Sequence, residues 1–294
     1  MTSSRFERMV IGLPQGTASQ SGIRTAADLA EFLNIELLGT FIADENLRSL
    51  FGLPGRELRM LDLQWQPIDP ARISRDLQEV TDFVRNRFIE NVGSRTVKTS
   101  FDTIAGAHIL GSLIRTGDIV AIVEPTHPGD RITQQFVDLL DAAFATAAAV
   151  LVVPRRVLRT SGPITAVATS NDDPSIRAAL EISAALKERL IILSQSDTPT
   201  PAEILTDARE LGVPVEQVRL DTPAMSGIAP QPSSRQSQER LRVISRITRS
   251  ADTHGLFSTL AGVPLLVVKS HQADSDAFIK NRKPSAREVA ESRG

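Results

Sequence analysis

The first half of this chain is echoed, loosely, by its second, and that echo limits the folds open to it. Residues 21–37 align without a gap with residues 174–190, at a constant offset of 153. Phe101-Asp102-Thr103 matches Leu220-Asp221-Thr222 at an offset of 119. Arg131-Ile132-Thr133 and Leu151-Val152-Val153 match Arg246-Ile247-Thr248 and Leu266-Val267-Val268, both at 115. The order of the matches is kept while the offset shrinks, as in two diverged copies of which the second has lost chain. A period this long marks duplicated domains rather than a solenoid. Sites are therefore expected at equivalent places in each copy and where the copies meet.

A length of 294 residues agrees with two domains, and 41% hydrophobic with 23% charged residues is an ordinary globular balance. A net charge of −2 gives no sign of a nucleic-acid surface. The chain has no cysteine, which excludes disulfides, thiolate metal sites and thiol catalysis. Residues 1–8 lack the apolar core of a secretory signal, and the most apolar run, 142–153, is shorter than the roughly 20 residues of a membrane span. These features lead us to expect a cytoplasmic protein with neither a nucleic-acid nor a membrane partner.

Hydrophobic spacing predicts strands over 8–13, 35–43, 96–101, 118–123 and 148–153, with helices over 21–33, 69–92, 106–115 and 133–146. The second copy predicts strands over 164–168, 190–193, 215–220, 241–245 and 263–268, with helices over 174–188, 201–211 and 254–260. The stretch 223–234 is too rich in proline to be helical. Strands alternating with helices imply a parallel sheet covered on both faces. The domains are expected at 1–154 and 162–270, joined by a short linker, with a disordered tail at 271–294. Most of the length difference falls in an insertion, residues 44–69 of the first copy.

Gly106-x3-Leu110-x2-Leu113-Ile114-x3-Asp118-Ile119-Val120, followed by Val150-Leu151-Val152-Val153-Pro154, resembles the second half of a universal stress protein domain. The opening strand, the alanine-rich first helix and the second strand resemble that family in order and spacing. The resemblance implies a tandem α/β protein with two five-stranded, Rossmann-like parallel sheets similar to adenine-nucleotide alpha hydrolases. Nucleotide-binding members carry a loop resembling G-x-x-G-x9-G-S/T after the fourth strand, whose glycines let backbone N–H groups approach phosphate. Here the first copy has Glu124-Pro125-Thr126-His127-Pro128-Gly129-Asp130-Arg131, with no further glycine until Gly162. The second has Ser245-Arg246-Ile247-Thr248-Arg249-Ser250, with none. Family-type ATP binding is therefore not expected, and Glu124 and Asp130 would repel a triphosphate.

The remaining candidates are weaker patterns. Arg246, Thr248, Arg249 and Ser250 would offer an anion two guanidiniums and two hydroxyls, with Ser170 and Asn171 facing the same crevice. His127, Arg131 and Thr133 stand at related places in the first copy. No histidine comes with ligand spacing, so no metal is expected, and no nucleophile motif is found. The insertion is strongly apolar although it lies outside the sheet, and it could cover the first crevice, pack on the second copy or clasp a second subunit. Leu50, Phe51 and Trp65 are its interface candidates. The expectation is a non-catalytic stress-response or regulatory binding module without a cofactor. It would form a homodimer through edge strands or the insertion, or bind an unidentified protein partner. The alternatives are an adenine-nucleotide-binding protein using the second crevice, and an enzyme of the alpha-hydrolase type.

Overall fold

The computed structural model describes residues 6–14, 20–43, 56–60, 63–67, 69–125, 127–194, 200–219, 238–245 and 262–269. In the first copy these form β1 (Arg8–Pro14), α1 (Gln20–Leu33), β2 (Glu36–Ala43), β3 (Arg56–Arg59), β4 (Gln64–Pro67), α2 (Pro70–Val92) and β5 (Thr99–Ala105). A 3₁₀ turn (Ala107–Ile109) then runs into α3 (Leu110–Leu113), β6 (Asp118–Val123), α4 (Gln134–Thr146) and β7 (Ala149–Val153). The second copy contributes β8 (Ile164–Ala168), α5 (Pro174–Leu186), β9 (Leu190–Ser194), α6 (Ala202–Glu210), β10 (Val215–Arg219), β11 (Leu241–Ser245) and β12 (Leu265–Val268).

Most of these elements lie where the hydrophobic spacing places them, and two differ. The third strand spans Thr99–Ala105 rather than 96–101, because Glu31 takes the backbone N–H and hydroxyl of Thr96 and holds that residue out of the sheet. The expected helix over 106–115 shrinks to a 3₁₀ turn and four α-helical residues, since Gly106 enters at φ +83°. The predicted helix over 254–260, the proline-rich stretch and the tail lie outside the described residues.

Each copy arranges its strands in the same way, and the two sheets are one. The order is β10-β9-β8-β11-β12-β7-β6-β1-β2-β5, with every neighbouring pair parallel except β12 and β7. Those two fifth strands run antiparallel at the centre, and Leu151 lies opposite Leu266, its own counterpart in the internal repeat. An approximate two-fold axis therefore passes through this pair. β5 and β10 form the outer edges of the sheet.

Alternation along the strands sends side chains to two layers. On one face, Met9, Ile11, Leu37, Ile119, Leu151, Ala166, Ile192, Val243 and Leu266 join α1, α2, α5 and α6 in a single buried cluster that crosses both copies. On the other, Val10, Ile42, Val120, Ile122, Val150, Val152 and Val267 pack with Leu110, Phe136, Leu139 and Leu140. Gly39 lets the Phe88 ring lie directly on β2, for a Cβ there would sit 2.8 Å from it. No helix among the described residues is long and apolar enough to cross a membrane.

Candidate functional site

An open α/β sheet binds ligands beyond the carboxyl ends of its strands, at the point where strand order reverses. Here that point falls between β1 and β6 in the first copy and between β8 and β11 in the second. The described residues that border the two crevices differ.

In the first copy, β6 ends at Val123, whose side chain lies against the start of α1. A Cβ at Gly22 would come within 2.5 Å of Val123 Cγ2. The next residue, Glu124, turns its carboxylate onto two donors of the crevice rim. Oε1 accepts from the Arg131 guanidinium, and Oε2 accepts from the Arg155 backbone N–H at 2.8 Å. Ser21 on α1 donates its hydroxyl to the Arg155 carbonyl at 2.9 Å. The loop after β6, the interdomain linker and the first turn of α1 are thus tied together around one carboxylate. Of the sequence-derived candidates, Arg131 is in this knot and Thr133 caps α4, its hydroxyl accepting from Phe136 N. His127 is exposed, and its side chain caps nothing at the 3₁₀ turn it precedes. The structure does not gather these three on one ligand position.

In the second copy the bordering residue is Asp173, which is 3% exposed. Its Oδ1 accepts from Ser175 N at 2.9 Å, capping α5, with Pro174 in the first helical position. Its Oδ2 accepts from Thr169 N and Thr169 Oγ1, both at 3.0 Å, and from Ser245 Oγ at 2.9 Å. Three donors thus converge on Oδ2 and one meets Oδ1. Ser245 holds the ladder place that Val123 holds in the first copy, each facing the last residue of its fifth strand. An apolar contact borders one crevice and a hydrogen-bonded carboxylate the other. Together with Asp173, the residues Asn171, Asp172 and Arg177 of the α5 end and Pro201, Glu203 and Ile204 of the α6 end line a cleft of about 130 Å³. Asp172 and Glu203 make it acidic, and Arg177 faces Glu203 at 3.4 Å, so the cleft disfavours phosphate. Ser170 is exposed and Asn171 half-buried at its rim. Arg246, Thr248, Arg249 and Ser250 lie outside the described residues. Among the described residues no group of three or more His, Asp or Glu is placed to hold a metal ion.

Asp173 and Glu124 were not among the candidates drawn from the sequence as ligand-site residues. Asp173 carries a readable signal, an Asp-Pro pair before a helix, but only the fold brings Ser245 to it.

The insertion forms an antiparallel hairpin of β3 and β4 whose apolar side chains are not covered by the other described residues. Leu58 and Trp65 face each other across the ladder and are 39% and 63% exposed, while Met60 and Leu63 beside the turn are 81% and 68% exposed. Of the three roles open to the insertion, cover for the first crevice is therefore not taken by these four side chains. Leu50 and Phe51 lie outside the described residues.

No family model and no curated protein matches the chain. Solved structures do. A universal stress protein from Archaeoglobus fulgidus DSM 4304 is 13% identical and superposes with a TM-score of 0.55, covering 92% of this chain and 100% of its own. A functionally unknown protein from Pseudomonas aeruginosa PAO1 is 16% identical over 94% of this chain and 97% of its own, with a TM-score of 0.43. A member of the universal stress protein family from Burkholderia pseudomallei is 16% identical over 49% of this chain and 96% of its own, with a TM-score of 0.31. The first likeness runs through both copies and shows that this chain has the tandem α/β fold of that universal stress protein.

Proposed function

We propose that this protein is a tandem, non-catalytic stress-response module of the universal stress type, which holds no nucleotide in its crevices and acts through its surfaces in the cytoplasm. The observation that carries the reading is the Glu124 carboxylate, bound by Arg131 and the Arg155 N–H on the rim of the first crevice. It supplies from within the negative charge that a phosphate would bring, and it does so on the guanidinium a phosphate would need. Asp173 supports the same reading in the second copy. Its carboxylate is buried and already accepts from four donors of the fold, which ties it to capping and cross-strand bonding rather than to a substrate. A cysteine-free chain suits a reducing compartment.

The test is calorimetric titration of the whole chain with ATP and Mg²⁺, and with AMP. The expected result is no saturable heat. Stoichiometric binding that is lost on Arg131→Ala would overturn the proposal for the first crevice, and binding that survives that change would overturn it for the second.

A further inference from the structure

The hairpin is sharply two-sided. Leu58 and Trp65 share one face, while Arg59, Gln64 and Gln66 fall on alternate positions. An isolated two-stranded ribbon is marginal in water and needs its apolar face covered. Leu58 and Trp65 on this face, with Met60 and Leu63 at the turn beside it, leave on the order of 500 Å² of apolar surface open, at the roughly 150–250 Å² a large side chain carries. That is at the upper end of what a monomer's largest patch exposes.

We infer that this face binds the same face of a second copy, the two hairpins packing as a four-stranded sandwich about a two-fold axis. Doubling the open area gives about 1,000 Å², the size at which specific interfaces begin. The second copy of the internal repeat lacks the insertion, so each chain offers one such face and assembly closes at two chains instead of growing into a fibre. A lipid surface is the poorer occupant, because the chain is weakly acidic and anionic membranes recruit basic clusters. The fifth-strand edges cannot serve, being paired with each other inside the chain. This inference is independent of the proposal that the crevices hold no nucleotide, since nucleotide titration and sedimentation can fail separately.

Trp65 is the single tryptophan and the chain has no tyrosine, so intrinsic fluorescence reports on this face alone. Sedimentation velocity and Trp65 emission, followed over a wide range of concentration, test the dimer. The wild type should sediment as a dimer with blue-shifted emission protected from acrylamide. Leu58→Asp should raise the dimer dissociation constant about thirtyfold or more, the effect of losing a hot-spot contact, and expose the indole. Trp65→Ala should weaken sedimentation-detected association similarly, and Gln64→Lys on the other face should change nothing. A wild type that is monomeric throughout, or a dimer that survives both Leu58→Asp and Trp65→Ala, would overturn the inference. So would an indole that becomes protected only when phosphatidylglycerol vesicles are added.

Discussion

At the residue scale, Asp173 and the Gly22–Val123 contact fix the packing at the borders of the two crevices. Removing the Asp173 carboxylate takes away the cap of α5 and leaves the Ser245 hydroxyl in a buried place without its acceptor. Asp173→Ala should lower unfolding free energy by about 2–4 kcal/mol, combining a lost cap with an unsatisfied donor. Asp173→Ser should recover about 1 kcal/mol by restoring the cap alone. Urea midpoints at constant m would show this, and equal losses for both changes would mean that the cap is not the larger part. Gly22→Ala gains helix propensity but drives a methyl into Val123, so it should cost about 1–3 kcal/mol. In the Val123→Ala background the same change should become nearly neutral. If the two losses simply add, the close approach is not what glycine provides there. The sequence made the Asp-Pro cap legible but not its second use, because Ser245 is 72 residues away and no local pattern points to it. Glu124 was legible as a charge hostile to triphosphate. Its pairing with Arg155, across the domain linker, was not.

At the scale of elements, the contact between α1 and the entry to β5 carries a pH dependence. Two hydrogen bonds from Thr96, first its backbone N–H and then its hydroxyl, hold the Glu31 carboxyl below its ordinary value, with a smaller contribution from Arg95. A depressed carboxyl stabilises the fold at neutral pH, and that stabilisation is lost as pH falls through the lowered value. Glu31→Gln should therefore flatten the acid limb of the stability curve while leaving its alkaline limb unchanged, read from urea midpoints taken across pH 3–8. An acid limb as steep as that of the wild type would show that Thr96 does not discriminate between the charge states. The same hydrogen bonds explain why alternation over 96–101 read as a strand and the fold begins its strand at Thr99. Among the described residues, periodicity located most of the strands and helices that pack on the sheet, since burial on a pleat or a helical stripe leaves a repeating pattern. It did not foresee the β3–β4 hairpin, whose apolar residues stay exposed and so carry no record of what they face.

For the whole molecule, duplication was legible in the matches at 21–37 and 151–153, whose counterparts hold the same ladder places, whereas those at 101–103 and 131–133 were out of register, since the ladders pair Val123 with Ser245 as equivalents, and the merging of two sheets into one was not legible at all. The runs over β7 and β12 are apolar throughout, and such a run reads the same whether the strand is central in one sheet or seals two together. The consequence is thermodynamic. Leu151 and Leu266 face each other on the approximate axis, both fully buried, in a cluster that includes α1 of one copy and α5 of the other. Arg240 adds a second tie, its guanidinium lying over the Phe32 ring at 5.3 Å and pairing with Glu188 at 3.7 Å. Neither copy can open its fifth strand without stripping the other's edge. Unfolding should therefore be one cooperative transition, with calorimetric and van't Hoff enthalpies equal, although the chain has the length of two domains. Leu266→Ala, at the seam, should cost about 2–5 kcal/mol and move that single transition as a whole. Two separated heat-absorption peaks, with Leu266→Ala lowering only one, would show that the copies unfold independently and that the continuous sheet does not couple them.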